Sequence, residues 1–369
     1  MTGKNDKAYM TRAVQLARKG LCTTDPNPRV GCVLVKAGEI IGEGWHERAG
    51  NPHAEIMALE QAGREALNAT AFVTLEPCCH TGRTGPCVEA LIDAGVSRLV
   101  CSTIDPNPLV SGEGLRRLKE AGIIIENGLL EDLAASLNPG YLMRMKHGRP
   151  FVRSKLAVSL DGRTALANGE SQWITGEDSR ADVHNWRARS SAVVTGIGTV
   201  LKDDPSLNAR LIDLSENVLQ PLRIIIDSHL QTPDSAKLID LPGDTIVFTK
   251  QSTLSNAQSK AKVLRDKGVM IEGVSGVEQC DLRQVIERLG ELEINEVWIE
   301  AGAQLNGALL ESGLIDELVI YVAPHLLGAD SYGMFSIEPL ASLEQRIQVT
   351  YQDISRIGED IRIIACLAE

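Results

Sequence analysis

The sequence predicts an α/β protein of two domains. Its 369 residues exceed the ~100–200 residues usual for one domain. Strand and helix patterns alternate through both halves, which is typical of layered α/β folds. A polar stretch rich in helix breakers, residues 138–150, separates the halves. We therefore place the boundary near residue 148, with domains at 1–147 and 148–369.

In the first half, residues 7–19 form a helical pattern that ends at Gly20. The apolar run 30–35 predicts a buried strand, which Ala37-Gly38 turns into a second strand at 39–44. These elements and those that follow predict a three-layer α/β unit. The remaining ones are a helix from about 53 to 64, strand 71–75, helix 87–94, strand 98–102, a helix near 112–121, strand 123–126 and a helical segment at 141–146.

The second half again alternates strands and helices, without repeats or low-complexity segments. Its predicted strands are 151–158, 192–195, 222–227, 245–249, 269–272, 296–300 and 317–323. Its predicted helices lie near 178–189, 281–289 and 303–312.

Charge and composition exclude several classes of protein. The net charge is −12, of which residues 1–148 carry about −1. Neither half shows the basic stripe that nucleic-acid binding requires. No apolar run approaches the ~18 residues of a membrane helix, and the N-terminus is amphipathic, unlike a secretory signal. We expect a cytoplasmic enzyme acting on small molecules as a homo-oligomer, with eight free or metal-bound cysteines.

Three short segments predict a metal site. His53 and Glu55 lie two residues apart, and Cys78 and Cys87 each follow a proline. One imidazole and two thiolates are the protein ligands of a catalytic zinc ion, whose fourth position stays open. Zinc nucleobase deaminases combine such ligands with a glutamate that moves protons. We therefore expect His53, Cys78 and Cys87 to bind Zn²⁺ and Glu55 to be catalytic.

A structural zinc site is the alternative. It would need a fourth protein ligand, and Cys79 and His80 are both near enough in sequence. The catalytic interpretation is favoured because Glu55 stands where a proton carrier is needed. Since residues i and i+2 do not share a helix face, His53 must lie at the mouth of the helix for the two side chains to converge.

Eight residues separate Cys78 from Cys87, where short-spaced deaminases have two. The insert carries His80 and Arg83, which suggests contact with an anionic group such as phosphate. A solvated loop is the alternative interpretation.

Longer motifs make the sequence resemble the bifunctional deaminase/reductase family of riboflavin biosynthesis. The resemblance covers nearly the whole chain, and Cys79 is its one local departure, since the family commonly has Ser there. The motifs are TDPNPRVG at 24–31, GNPHAE at 50–55, LEPCCHTGRTGPC at 75–87, SLDGRTA at 159–165, GESQWIT at 169–175 and EAG at 300–302.

The resemblance implies a cytidine-deaminase-like three-layer α/β/α domain followed by a dihydrofolate-reductase-like α/β domain. The first would deaminate 2,5-diamino-6-(5-phosphoribosylamino)pyrimidin-4(3H)-one with Zn²⁺. The second would reduce the ribosyl group of 5-amino-6-(5-phosphoribosylamino)uracil to ribityl with NADPH. In the first domain Asn27 would contact the pyrimidine, and His46 and Arg83 the phosphate. The turn 105–107 would line the same pocket.

Two glycine loops stand out in the second half, where no Rossmann fingerprint opens a first βα turn. The loop 195–199 follows a strand, and the loop 302–307 opens a helix. Glycines at a helix N-terminus let backbone N–H groups approach a pyrophosphate, although ordinary tight turns are the alternative. Arg187 and Arg210 are candidate phosphate clamps, or else members of surface ion pairs.

The resemblance also assigns residues of the second domain. Lys155 would lie near the transferred hydride, unless it is solvated on the strand surface. Substrate contacts would come from Ser171, Arg187, Leu207, Arg210 and Glu300. Cofactor contacts would come from Ala157, Trp173, Thr199, Asp203, Ser228, Gly302, Ala303, Gln304, Leu305, Asn306, Gly307 and Ala308.

Two other functions remain compatible with the residues. One is a zinc deaminase of another base with a non-catalytic C-terminal module. The other is a non-enzymatic protein with a structural zinc ion.

Overall fold

The computed structural model describes residues 3, 5–79, 85–210 and 219–367. The chain divides into two compact units, Met1–Gly148 and Arg149–Glu369. Arg83 and His80 lie outside the described residues. The elements of the first unit are α1 (Asp6–Ala17), β1 (Gly31–Lys36), β2 (Glu39–Trp45), α2 (Ala54–Ala62), β3 (Thr70–Leu75), α3 (Cys87–Asp93), β4 (Arg98–Thr103), α4 (Glu113–Glu120), β5 (Ile124–Asn127), α5 (Glu131–Ala135) and α6 (Pro139–His147).

A five-stranded sheet in the order β2-β1-β3-β4-β5 forms the centre of the first unit. β1 pairs antiparallel with β2 and β3, and β3, β4 and β5 are parallel. Each strand begins within one residue of its predicted start, and the predicted hairpin is confirmed. The short helix α5 was not predicted.

Alternation along β1 explains why its apolar run is continuous. Cys32 and Leu34 face α2, α3 and α4, whereas Val33 and Val35 face α1 on the other side of the sheet. Successive strand residues point to opposite faces, so a strand covered on both sides has few polar positions. The predicted three-layer architecture is confirmed.

The second unit contains a nine-stranded sheet in the order β11-β10-β9-β8-β12-β6-β13-β16-β15, and β7 and β14 form a separate pair. Its elements are β6 (Phe151–Ser159), β7 (Arg163–Ala165), α7 (Glu177–Arg189), β8 (Ala192–Gly196), α8 (Ile197–Asp203), β9 (Leu222–Ile226), β10 (Thr245–Lys250), α9 (Gln251–Asn256), α10 (Gln258–Asp266), β11 (Met270–Val274), α11 (Leu282–Glu291), β12 (Glu296–Ile299), α12 (Ala303–Glu311), β13 (Glu317–Ala323), β14 (Tyr332–Gly333), β15 (Val349–Ile357) and β16 (Asp360–Leu367).

The strands from β11 to β13 in this order are parallel. β16 pairs antiparallel with β13, and β15 pairs antiparallel with β16. The carboxyl ends of β8 and β12 therefore lie side by side at one edge of the sheet. Open α/β sheets bind ligands at this edge. The predicted strands and helices of this half are all present, whereas the short helices α8, α9 and α10 and the final hairpin β15–β16 were not predicted.

Candidate functional site

The three predicted metal ligands come together in the first unit. His53 precedes α2 with extended backbone (φ −74°, ψ 164°). Cys78 follows β3, and Cys87 is the first residue of α3. The Nδ1 atom of His53 lies 3.5 Å from the Cys78 Sγ and 3.3 Å from the Cys87 Sγ. All three ligand atoms lie within 4.8 Å of one another.

These distances fit a tetrahedral zinc ion. Zn–S bonds of about 2.3 Å and Zn–N bonds of about 2.0 Å place the sulfur and nitrogen ligands about 3.5 Å apart. The hydrogen bond from the Cys87 thiol and the nearby His53 imidazole lower the pKa of the Cys78 thiol, which favours the thiolate form. The triad therefore has the geometry and the chemistry of a zinc site.

Glu55 lies beside this triad in the first turn of α2. It is 3% exposed, and its carboxylate contacts the Cys87 thiol. Burial, followed by the charge of Cys78, raises the pKa of Glu55 to about 7. Because His53 has extended backbone outside the helix, the two side chains can converge although they are only two residues apart.

Within the described residues, no fourth protein ligand joins the triad. The Cys79 thiol instead donates a hydrogen bond to the Leu109 carbonyl at 3.6 Å. The group of His, Cys, Asp and Glu ligand atoms at this site contains only His53, Cys78 and Cys87 in the described ranges. The described residues therefore supply three ligands, which is the number of protein ligands in a catalytic zinc site.

Asn27 and His46 form a hydrogen-bonded pair near the triad. The Asn27 amide Nδ2 lies 3.0 Å from His46 Nε2, and His46 Nδ1 lies 3.2 Å from the Pro52 carbonyl. Burial lowers the pKa of His46, and its ring is 5.3 Å from that of His53. A neutral His46 therefore donates from Nδ1 to Pro52 and accepts from Asn27, which leaves neither ring nitrogen free for a phosphate.

The two glycine loops of the second unit are neighbours at the carboxyl edge of its sheet. The Thr195 hydroxyl donates to the Glu300 carbonyl at 2.7 Å. A Cβ added to Gly196 would lie 3.4 Å from Leu305, whereas one added to Gly198 or Gly302 would meet nothing within 4 Å. Gly302 is the N-cap residue of α12, and no other atom fills the space beside its Cα. A ligand can therefore approach the backbone N–H groups at the start of this helix closely.

The later residues of the second loop are fixed within the protein. Asn306 is fully buried, accepts a hydrogen bond from Ser154 at 2.8 Å and donates to the Ala301 carbonyl at 2.8 Å. A Cβ on Gly307 would lie 2.0 Å from the Ser336 carbonyl oxygen. Asn306 and Gly307 therefore anchor the loop, which leaves its first residues for ligand contact.

A cluster of charged side chains lies near the second glycine loop. It consists of Arg187, Glu300 and Lys155. Arg187 donates two hydrogen bonds to the Glu300 carboxylate, at 2.5 and 2.8 Å. Burial, and then the charge of Arg187, lowers the pKa of Lys155, although Glu300 opposes this shift. Lys155 thus lies among charged side chains in the protein, which disfavours a solvated position on the strand.

The structure adds His184 to this region, which the sequence did not single out. Arg210 lies 3.3 Å from His184 Nε2, and the Arg187 guanidinium donates to the Asn208 carbonyl at 3.1 Å. Burial, followed by the charges of Arg187 and Arg210, lowers the pKa of His184 to about 4. Leu207 is 1% exposed and packs in the core of this unit.

The other predicted residues of the second unit occupy several places. Thr199 and Asp203 lie on α8, Ala157 lies within β6, and Ser171 lies in the loop before α7. Ser228, just beyond β9, donates to Gln279 at 2.8 Å.

Trp173 is 70% exposed. It lines a cleft of about 520 Å³ with Arg180, His325 and Glu359. Arg180 stacks 4.8 Å above its ring.

In the first unit, Glu76 is a residue that the sequence did not single out. It is a buried carboxylate immediately before Pro77 and Cys78. A charged residue between an apolar strand and a metal-ligand motif was the only available signal.

Among the described residues, no helix has the length and apolar character needed to span a membrane.

Two family models match the chain. The cytidine and deoxycytidylate deaminase zinc-binding region matches residues 3–103, and the RibD C-terminal domain matches residues 150–363. These matches confirm the expected class of fold for each half.

Proteins named riboflavin biosynthesis protein RibD are similar over nearly the whole chain. The one from Escherichia coli K12 is 47% identical, covering 96% of this chain and 98% of its own. The one from Aquifex aeolicus is 41% identical, covering 97% of both chains.

Two solved structures are also similar to this chain over nearly its whole length. Acinetobacter baumannii RibD (form 1) is 46% identical, with a TM-score of 0.92 over 99% of both chains. A Thermotoga maritima diaminohydroxyphosphoribosylaminopyrimidine deaminase/5-amino-6-(5-phosphoribosylamino)uracil reductase is 32% identical, with a TM-score of 0.85 over 98% of this chain and 99% of its own. The chain therefore belongs to the RibD family of riboflavin biosynthesis, whose members combine a zinc-binding deaminase domain with a reductase domain.

Proposed function

We propose that residues 1–147 deaminate 2,5-diamino-6-(5-phosphoribosylamino)pyrimidin-4(3H)-one and that residues 148–369 reduce the resulting 5-amino-6-(5-phosphoribosylamino)uracil. The chain is a bifunctional enzyme of riboflavin biosynthesis, with zinc and NADPH as its cofactors. The observation that carries the proposed sites is the convergence of His53, Cys78 and Cys87 beside the buried Glu55.

In the deaminase, His53, Cys78 and Cys87 are the proposed zinc ligands. A zinc ion with an open position lowers the pKa of its water to about 7. Glu55 accepts one proton as water attacks and transfers it to the pyrimidine ring nitrogen. It then takes the remaining proton of the new hydroxyl group and delivers it to the departing amino group. The water oxygen replaces the 2-amino group, and ammonia leaves.

Asn27 is the proposed contact to the pyrimidine. Its Nδ2 faces His46, so its Oδ1 is oriented by that hydrogen bond and can accept from the base. We assign His46 to the orientation of Asn27 rather than to the phosphate, because both of its ring nitrogens have protein partners. Arg83 remains the proposed contact to the 5-phosphate, supported by the family resemblance alone.

In the reductase, NADPH supplies the hydride, and the protein supplies position and charge. The open backbone at Gly302 and the adjacent loop at Gly196–Gly198 are the proposed cradle for the pyrophosphate. The other proposed cofactor contacts are Ala157, Trp173, Thr199, Asp203, Ser228 and the loop Ala303–Ala308, within which Asn306 and Gly307 act by anchoring.

Glu300, Arg187, Arg210, Ser171 and Leu207 are the proposed contacts to the reductase substrate. Glu300 is ionised and can accept from ribosyl hydroxyl groups, while Arg210 can pair with the phosphate. Lys155 lies close enough to the Glu300 charge to be placed beside the reacting sugar.

We also propose that the enzyme is a homo-oligomer. The described edge strand of the large sheet, β15, exposes Tyr351 and Ile354 by 63% and 59%. Exposed apolar groups on an edge strand are suited to pairing with a second copy. A cytoplasmic location is proposed as well, because none of the eight cysteines, all within the described residues, forms a disulfide bond.

A coupled assay tests the two-site proposal. Wild-type protein should release ammonia from the phosphoribosylaminopyrimidine and then oxidise NADPH. Glu55→Ala should lose ammonia release and keep the reduction of supplied deaminated intermediate. If the wild type releases ammonia without reducing that intermediate, the chain is a deaminase with a non-catalytic second module. If Glu55→Ala retains ammonia release, Glu55 is not the proton carrier.

A further inference from the structure

Glu76 is a buried carboxylate that the proposed chemistry does not use. It follows β3 and is 3% exposed. Its Oε2 accepts hydrogen bonds from the backbone N–H groups of Asp105 at 3.2 Å and Gly112 at 2.9 Å, and its Oε1 accepts from Leu115 at 3.2 Å. Burying a carboxylate is unfavourable unless such donors replace water. Glu76 therefore joins the end of β3 to the 105–112 loop and to the start of α4.

The same junction is closely packed on the side of α4. A Cβ added to Gly114 would lie 2.3 Å from the Pro77 carbonyl oxygen and 3.1 Å from Glu76 Oε1. Since real Cβ atoms do not approach so closely, α4 can rest against Pro77 only where it has glycine.

A third contact fixes Cys79, the residue that follows Cys78. The Arg117 guanidinium, also on α4, donates to the Cys79 carbonyl at 2.9 Å. The Cys79 thiol donates to the Leu109 carbonyl at 3.6 Å. Cys78 thus lies between two neighbours that are both fixed against α4 and its preceding loop.

We propose that Glu76 is a positioning residue for the deaminase, whose carboxylate fixes the turn carrying Cys78 and thereby controls how firmly the metal is retained. This inference rests on the proposed role of Cys78 as a zinc ligand. Groups that orient metal ligands contribute about 10- to 100-fold to metal affinity in other proteins. Glutamine at position 76 would keep the size of the side chain but would place an NH₂ group where an oxygen now accepts.

The test is the rate at which zinc leaves the folded, full-length protein. Zinc-loaded wild type and Glu76→Gln are mixed with excess chromogenic chelator, well below the temperature at which either unfolds. We expect Glu76→Gln to release zinc about tenfold faster or more. Glu113→Gln is the matched control, because Glu113 begins the same helix, is 43% exposed and pairs with Arg116. It should release zinc at the wild-type rate, and both variants should reduce the deaminated intermediate normally.

A purely stabilising role for Glu76 predicts a different result. The variant would then melt at a lower temperature but release zinc at the wild-type rate, which would overturn the inference. If Glu76→Gln does not fold, Gly114→Ala takes its place, because its methyl group would press on both the Pro77 carbonyl and the Glu76 carboxylate. Unchanged release from Gly114→Ala would equally overturn the inference. A wild-type protein that binds no zinc would instead contradict the proposed function.

Discussion

The Arg187 guanidinium and the Glu300 carboxylate are joined by two hydrogen bonds, of 2.5 and 2.8 Å. The Trp298 indole N–H donates a third to the same carboxylate at 3.0 Å. Burial opposes ionisation of Glu300, but the charge and hydrogen bonds of Arg187, with Lys155 nearby, outweigh it and lower the pKa of Glu300 to about 2. The carboxylate is therefore held ionised where the reductase substrate is proposed to bind.

Glu300→Gln should destabilise the reductase unit and impair reduction. Removing one partner of a buried ion pair leaves the other charge uncompensated, at a cost of about 3–5 kcal/mol. Urea unfolding and NADPH oxidation measure the two effects. Glu272→Gln is the control, since its pair with Arg288 lies closer to solvent and should contribute at most about 1 kcal/mol. Equal losses in the two variants would contradict the assigned role of Glu300.

The same ion pair predicts how stability changes in acid. The pKa of Glu300 is about 2 in the folded chain against an ordinary 4.5. A depressed pKa stabilises the fold above pH 4.5, and the contribution disappears as the pH falls from 4.5 to 2. This contribution to the free energy of unfolding is about 3 kcal/mol, because a pKa difference of one corresponds to about 1.4 kcal/mol. The stability difference between wild type and Glu300→Gln should therefore shrink over this interval, and a difference that stays constant would contradict the ion pair.

Gly302, which precedes α12, and Gly307, which lies within that helix, should respond differently to alanine. Gly302→Ala adds a methyl group to open space at the proposed pyrophosphate site. It should raise the KM for NADPH about tenfold, equivalent to about 1.4 kcal/mol, without changing the melting temperature. Gly307→Ala places its methyl group against the Ser336 carbonyl, and overpacking should destabilise the unit by about 1–3 kcal/mol. The reverse pattern would argue against phosphate binding at Gly302.

Neighbouring cysteines distinguish a three-ligand from a four-ligand zinc site. Cys87→Ser should lose both zinc and deamination, because it removes one of the three proposed ligands among the described residues. Cys79→Ser should keep one zinc ion per chain and near-normal ammonia release, because the Cys79 thiol faces the Leu109 carbonyl. Metal analysis and the ammonia assay report on each. Loss of zinc from Cys79→Ser would favour a structural site.

The convergence of His53, Cys78 and Cys87 could be predicted from the sequence because each stands in a short local pattern, beside a proline or at a helix start. Contacts between residues far apart in the sequence could not be predicted. Glu76 reaches backbone groups 29 to 39 positions away, and Thr195 contacts a carbonyl 105 positions away. Nothing in the local sequence encodes such pairings, which arise only when the strands are assembled.

The missed hairpin β15–β16 has a specific cause. β15 carries apolar residues at Val349, Tyr351 and Ile354, so their spacing breaks the period of two expected for a strand. The register shifts between Tyr351 and Asp353, as at a β-bulge. The extra residue at the bulge lets β15 remain paired with β16. It also interrupts the alternation of apolar and polar residues by which a strand is recognised in a sequence.

The central claim is that one chain deaminates a pyrimidine at a zinc site and then reduces its sugar at a separate NADPH site. Mass spectrometry of the products from zinc-loaded and chelator-treated protein tests it most directly. Zinc-loaded protein should exchange an amino group for oxygen and, with NADPH, add two hydrogens to the sugar. Chelator-treated protein should lose only the first step and still reduce supplied deaminated intermediate. Deamination that survives zinc removal, or reduction that disappears with it, would contradict the account.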